Sequence, residues 1–154
     1  MTPRIDFPQV SAEAAKPFLR LGAYLATSGL ETSLLELVKI RASQINSCAY
    51  CLDMHTKDAR AAGETEQRIY LLNAWHESPF FSERERAALA WTEAVTLVSD
   101  GVSDEVYETA REQFTEKELV DLTWAIALIN GWNRMAISFR SVPGTYEPAQ
   151  HAHA

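Results

Sequence analysis

Apolar and polar positions recur at helical spacing over nearly the whole chain. Phe18, Leu21 and Leu25 lie between a Ser11 cap and Gly29 and predict a first helix, with Pro17 marking a kink or a later start. Leu34, Leu37, Val38, Ala42 and Ile45 predict a second, opened by a capping box of Thr32-Ser33 with Glu36. Asn46 and Ser47 offer a fresh N-cap for a third helix, Cys48 to Ala62, which Gly63 closes. A short helix from about Glu66 to Trp75 precedes a turn at Ser78-Pro79. Ser82 with Glu85 then caps a helix through Val98 whose buried stripe is Ala87, Trp91, Ala94, Val95 and Val98. Gly101 stops it, Ser103 opens a short helix to about Gln113, and Thr115 with Glu118 caps the last long one. There Leu119, Leu122, Ile126 and Ile129 are joined by Val120, Trp124, Ala125, Ala127 and Leu128. Apolar residues on almost every side predict burial in a core or a subunit interface.

No stretch combines period-two alternation with hairpin chemistry, so the fold class is all-α, with six or seven helices, and a thioredoxin fold is excluded. The 154 residues suit one domain, 1–154, with no linker and no internal repeat. From Val142 onward, through Pro143, Gly144 and Pro148 to residue 154, periodicity stops and a fraying tail is expected. Fourteen Lys plus Arg against twenty-one Asp plus Glu give a net charge of −7, which argues against nucleic acid and anionic membrane surfaces as partners. No apolar run reaches the roughly 20 residues of a membrane-spanning helix. Met1 to Val10 has no basic-then-apolar export pattern, so a cytoplasmic location is expected.

The chemistry concentrates in Glu36 to His55, ELVKIRASQINSCAYCLDMH, which holds both cysteines of the chain, Cys48 and Cys51. A Cys-x-x-Cys pair in a reducing compartment points to redox or metal chemistry. At a helix start, orphan N–H groups and the positive end of the dipole favour thiolate over thiol. His55 follows Cys51 by four and shares its helical face, placed to accept a thiol proton, and Glu36 on the preceding helix could orient that imidazole. Glu36 also suits a capping box, so its role stays open between cap and relay. Zinc would accept Cys48, Cys51 and His55, but a closed site needs a fourth ligand, and only His76, His151 and His153 are spare. Lys39, Arg41, Lys57, Asp58 and Arg60 read as a solvated face, from which Arg41 or Lys57 could turn inward and lower a thiol pKa.

Glu36, Cys48, Cys51 and His55, as E-x11-C-x2-C-x3-H, closely resemble the AhpD-like alkylhydroperoxidases of the carboxymuconolactone decarboxylase family. The likeness is strong over Leu34 to Gly63, a redox core of about residues 31–63. It extends more loosely to the helix around Trp91 and to ALINGWNRMA, Ala127 to Ala136. The resemblance implies that Cys51 is the peroxidatic thiol, Cys48 the more exposed resolving thiol, His55 the base and Glu36 the far end of a proton relay. It further implies a small hydroperoxide substrate and a Cys51 sulfenic acid that condenses with Cys48. A dithiol reductant, typically a lipoyl-bearing protein, would reset the pair, and the assembly would be a homo-oligomer, a trimer or a hexamer; no cofactor and no resident metal are implied. Tyr50 stands where the AhpD type has a histidine. A phenol with a pKa near 10 cannot carry a proton at neutral pH, so the relay shortens to Cys51, His55 and Glu36. A non-redox decarboxylase or isomerase on a small lactone or acid, and a metal- or thiol-sensing binding protein, are the competing readings.

Overall fold

The computed structural model describes residues 2–148, which form eight α-helices and no strand. In chain order these are α1 (Phe7–Val10), α2 (Ala12–Leu25), α3 (Thr32–Ile45), α4 (Ala49–Ala61), α5 (Glu66–Leu71), α6 (Glu83–Thr96), α7 (Asp104–Gln113) and α8 (Glu116–Phe139), with 3-10 turns over Leu72–Glu77 and Val98–Asp100. The all-α expectation holds, and the helix beyond the seven is α1, too short for a periodic signal. It forms because the Asp6 side chain accepts from Gln9 N–H and Pro8 fixes a helical φ in the first turn.

The capping boxes of Ser82 with Glu85 and Thr115 with Glu118 are both present, as is the Ser103 cap on α7. Other boundaries differ from the sequence reading: α6 ends at Thr96, short of Val98, which is exposed, and α5 ends at Leu71. Pro17 lies inside α2, which continues through it. Glu31 is the N-cap of α3 and makes no side-chain cap bond, so Glu36 is an interior residue of α3 and is free for other partners. Cys48 itself is the N-cap of α4, in place of Asn46 or Ser47.

The helix enclosed on nearly all sides is α3. Eight of its fourteen residues are buried, and they divide among separate parts of the core. Leu34, Leu35 and Val38 pack with Leu25, Trp91, Leu122 and Ile126 of α2, α6 and α8. Leu37 and Ile40 pack with Ala59, Ile69, Leu72, Trp75 and Leu89. Ala42, one turn nearer the C-terminal end, packs with Cys48, Cys51, Ile129 and Ala136. Each fully buried Leu or Ile contributes roughly 1.5–3 kcal/mol, so α3 is held rigidly where it delivers the chain to the cysteines. By contrast α8 keeps an exposed apolar edge, with Val120 and Trp124 more than half accessible.

Helix α2 closes on α8 at Gly131, where an added Cβ would sit 2.6 Å from the Phe18 ring. That ring packs edge-on against Trp132 at a centroid distance of 5.3 Å. Gly131→Ala is therefore expected to push the ring off Trp132 and lower stability by about 1–2 kcal/mol, read as a lower urea midpoint with an unchanged slope. An unaltered midpoint would show that Phe18 yields without cost.

Residues 144 and 146, within the tail expected to fray, make hydrogen bonds to α4. Gly144 N–H donates to Asp53 Oδ2 (2.9 Å), Lys57 Nζ to the Tyr146 carbonyl (2.9 Å) and the Tyr146 hydroxyl to Asp58 Oδ1 (2.7 Å). Three polar residues on one face of α4 supply the attachment, which hydrophobic periodicity cannot register. Residues 149–154, with His151 and His153, lie outside the described residues.

Candidate dithiol active site

Helix α3 ends in a Schellman motif: Ser47 N–H donates to the Gln44 carbonyl and Cys48 N–H to the Ser43 carbonyl. Ser47 occupies the left-handed position (φ 58°) that glycine usually takes. The turn leaves Cys48 at once the last residue of that motif and the first cap of α4, so Cys51 falls in the opening turn of α4. The two free sulfurs are 2.7 Å apart, both buried, and Cys48, at 1% exposure, is the more enclosed. This corrects the expectation of an exposed resolving thiol: Ala136 of α8 and the side chains of Tyr50 and Trp132 pack over the pair.

A polar network underlies the sulfurs. The Asn46 amide donates to Asn130 Oδ1 (2.8 Å) and Asn133 Oδ1 (2.9 Å), and Asn133 Nδ2, fully buried, donates to Ser43 Oγ (3.0 Å). The Cys48 thiol is pulled down to about 7 by the adjoining Cys51 thiol, against its burial, with further help from the N–H groups of Cys51 and Tyr50 and from the Asn133 amide. The same contact, together with burial and the charge on Cys48, pushes Cys51 up. The two sulfurs therefore titrate as one coupled pair, with Cys48 the easier of the two to ionise. Sequence reasoning missed Asn133. Its available signal was two Asn three residues apart, Asn130 and Asn133, on an otherwise apolar helix, where buried amides need partners.

Glu36 is buried on α3 and reaches across to α4. One oxygen lies 2.9 Å from His55 Nδ1 and the other accepts from Lys39 Nζ at 2.6 Å. Burial alone would raise its carboxyl, but hydrogen bonding with His55 and the Lys39 charge overcome this and hold it below the ordinary 4.5. Asp58 Oδ2 is 3.9 Å from the same imidazole nitrogen. The geometry thus joins Glu36 to His55. No direct hydrogen bond joins His55 to either sulfur among the described residues; instead His55 and Cys51 line one apolar cavity of about 290 Å³, walled by Phe7, Leu19, Met54 and Trp132. A second cavity, about 230 Å³, adjoins it at His55, Ile129 and Trp132 and contains Glu36 and Lys39. Cys48 faces neither and lines a third cavity, about 490 Å³, under residues 140–143.

The remaining candidates separate from the site. Arg41 pairs with Glu93 (2.9 Å), Gln44 and Asn73, and Lys57 with Asp53 (3.1 Å), so neither cation turns toward the thiols. His76 stacks on Trp75 and is largely exposed. Tyr50 sits in the wall shared by the Cys48 and Cys51 cavities. Burial, followed by the charges of the neighbouring thiols and Asp53, raises its phenol further, so it stays protonated at neutral pH. Of metal-ligating groups, Glu36, His55 and Asp58 come within 4.8 Å of one another. Each carboxylate there already has a protein partner on its other oxygen, Lys39 and Tyr146 respectively.

A buried thiol pair at a helix start, beside a carboxylate–imidazole couple in an all-helical frame, defines the class as a helical dithiol protein. The sequence profile of the carboxymuconolactone decarboxylase family matches residues 12–94, and the chain belongs to that family. The uncharacterized protein YdfG of Bacillus subtilis is 45% identical over 139 residues, covering 90% of this chain and 95% of YdfG. A crystal structure of an Agrobacterium tumefaciens protein of unknown function, suggested to be the antioxidant defence protein AhpD, has a TM-score of 0.90 and 44% identity. The match covers 94% of this chain and all of that one. The debrominase Bmp8 shares the fold at a TM-score of 0.81 and 20% identity, over 89% of this chain and 74% of its own. No helix among the described residues is long and apolar enough to cross a membrane.

Proposed function

We propose that this protein is a thiol peroxidase that reduces a small organic hydroperoxide through a Cys51–Cys48 disulfide cycle. The observation that carries the reading is the placing of Cys51 and His55 on one apolar cavity while the second sulfur sits 2.7 Å behind. Cys48, once ionised, takes the Cys51 proton as the hydroperoxide arrives, and the Cys51 thiolate attacks the distal oxygen. The O–O bond breaks, and the departing alkoxide takes a proton from His55, whose other nitrogen Glu36 holds. The Cys51 sulfenic acid then condenses with Cys48, releasing water. Apolar walls suit an organic substituent on the peroxide.

The pair is reset by an outside thiol reductant, for which the family resemblance offers the dithiol of a lipoyl-bearing protein. The exposed edge of α8 with Val120 and Trp124 supports self-association, for which the family resemblance suggests a trimer or hexamer. A decarboxylase acting by acid–base chemistry has no use for two buried, adjacent sulfurs. One equivalent of cumene hydroperoxide added to the reduced protein is expected to remove two thiols and about two mass units per chain within seconds. Thiols that survive this treatment would return the site to the non-redox reading.

A further inference from the structure

The Cys48-side cavity belongs to neither the hydroperoxide pocket nor the Glu36–His55 couple. Its walls come from the start of α4, the end of α8 and residues 141–143. Among its lining residues only Arg140 carries a charge, and that guanidinium has no ion pair or side-chain hydrogen bond among the described residues. The backbone marks the same place. Ser47 and Arg140 are the two non-glycine residues with positive φ among the described residues, 58° and 57°, and both line this cavity. Both occupy the left-handed position of a Schellman motif, since Arg140 N–H donates to the Ile137 carbonyl and Ser141 N–H to the Ala136 carbonyl. Helix α4 ends in the same motif with Gly63 in that position, the residue that bears it without strain. A cation held on a strained turn beside a reactive sulfur calls for an account beyond helix capping.

We propose that this cavity is the binding site of the reductant, and that it takes a small thiol carrying a carboxylate, which Arg140 holds while the sulfur meets Cys48. The proposal rests on the disulfide cycle for its place in turnover. The incoming thiolate forms a bond to Cys48 Sγ as the Cys48–Cys51 bond breaks. Cys51 leaves as thiolate and takes a proton from the His55 side, free of the neighbouring charge that opposes its ionisation in the reduced pair. A second molecule of the thiol attacks the mixed disulfide and releases Cys48 thiolate and the symmetrical disulfide, so two electrons enter the protein and the thiol is oxidised. A lipoyl arm in amide linkage is uncharged and would leave Arg140 without a partner. Cys48 and Cys51 line separate cavities, so the two half-reactions need not share a pocket.

The test starts from protein whose disulfide has been closed with diamide, so it does not depend on peroxide. Reduction is timed with 3-mercaptopropionate and with cysteamine, compared per thiolate at low salt, for the wild type, Arg140→Ala and Arg140→Glu. One charge about 6 Å away in water changes a rate about threefold, in opposite senses for an anionic and a cationic thiol. The anion-to-cation rate ratio is therefore expected to fall about tenfold from wild type to Arg140→Ala, and about tenfold again in Arg140→Glu, the steps shrinking with added salt. The preference would also run against the net charge of −7, which by itself disfavours the anion. Arg140 is exposed, and thermal midpoints check that each variant is folded. The same ratio in all three proteins would overturn the proposal. Failure of cumene hydroperoxide to close the disulfide would instead overturn the peroxidase reading and leave this ratio measurable.

Discussion

Cys51→Ser is expected to abolish hydroperoxide consumption, a loss of at least about a thousandfold, because no other thiol lines the pocket that holds His55. Cys48→Ser should behave differently: one oxidation per chain, a gain of about 16 mass units as the sulfenic acid persists, and no turnover with any thiol that needs the disulfide. Removing Cys48 also removes the contact and the charge that push the Cys51 thiol up, so the remaining thiol should titrate lower than Cys51 does in the pair. Stopped-flow peroxide consumption, intact mass and thiolate absorbance read these outcomes. The electrostatics sharpen the test, since Cys48 is the thiol whose pKa is lowered. If Cys48→Ser were inert while Cys51→Ser was oxidised once, attack would belong to Cys48 and the roles would be exchanged.

Glu36→Gln is expected to cut kcat/KM about a hundredfold by removing the carboxylate that orients the His55 imidazole. KM should change little, because the apolar walls of the Cys51 cavity remain. The same substitution leaves Lys39 without its ion partner and should cost about 1–2 kcal/mol at neutral pH, less than a fully buried pair because Lys39 is partly solvated. Since the folded-state pKa of Glu36 lies below 4.5, its contribution to stability is fully present well above that value and is lost as pH falls through the folded pKa. The stability gap between wild type and Glu36→Gln should therefore close on acidification. Urea midpoints at pH 7 and pH 3 measure it, and a gap that stayed constant would show that Glu36 acts by shape alone.

Much of the helical frame was legible because its signals are local. The capping boxes at Ser82 and Thr115 join groups three residues apart, and Gly63 closes α4 through its own backbone freedom. The Thr32-Ser33 capping reading failed for the complementary reason. A Glu three residues past a Ser satisfies the local pattern, but tertiary packing brings His55 nineteen positions away to 2.9 Å from the Glu36 carboxylate and Lys39 to its other oxygen. The cap fell to Glu31. Asn133, Asp58 and Tyr146 left no periodic trace, because each acts through polar contacts and not through an apolar stripe.

By itself the sequence determined the all-α class, the pairing of two sulfurs within one turn and the alignment of Cys51 with His55, since helix period and cap chemistry are carried by neighbouring residues. Only the tertiary structure decided which helix is most enclosed, which sulfur is deeper and what each one faces. α3 rather than α8 is surrounded, residues 144 and 146 hydrogen-bond to α4, and the sulfurs line different cavities. Those outcomes depend on where α2, α8 and the last described residues come to rest around α4, and such placement is set by packing among residues far apart in the chain.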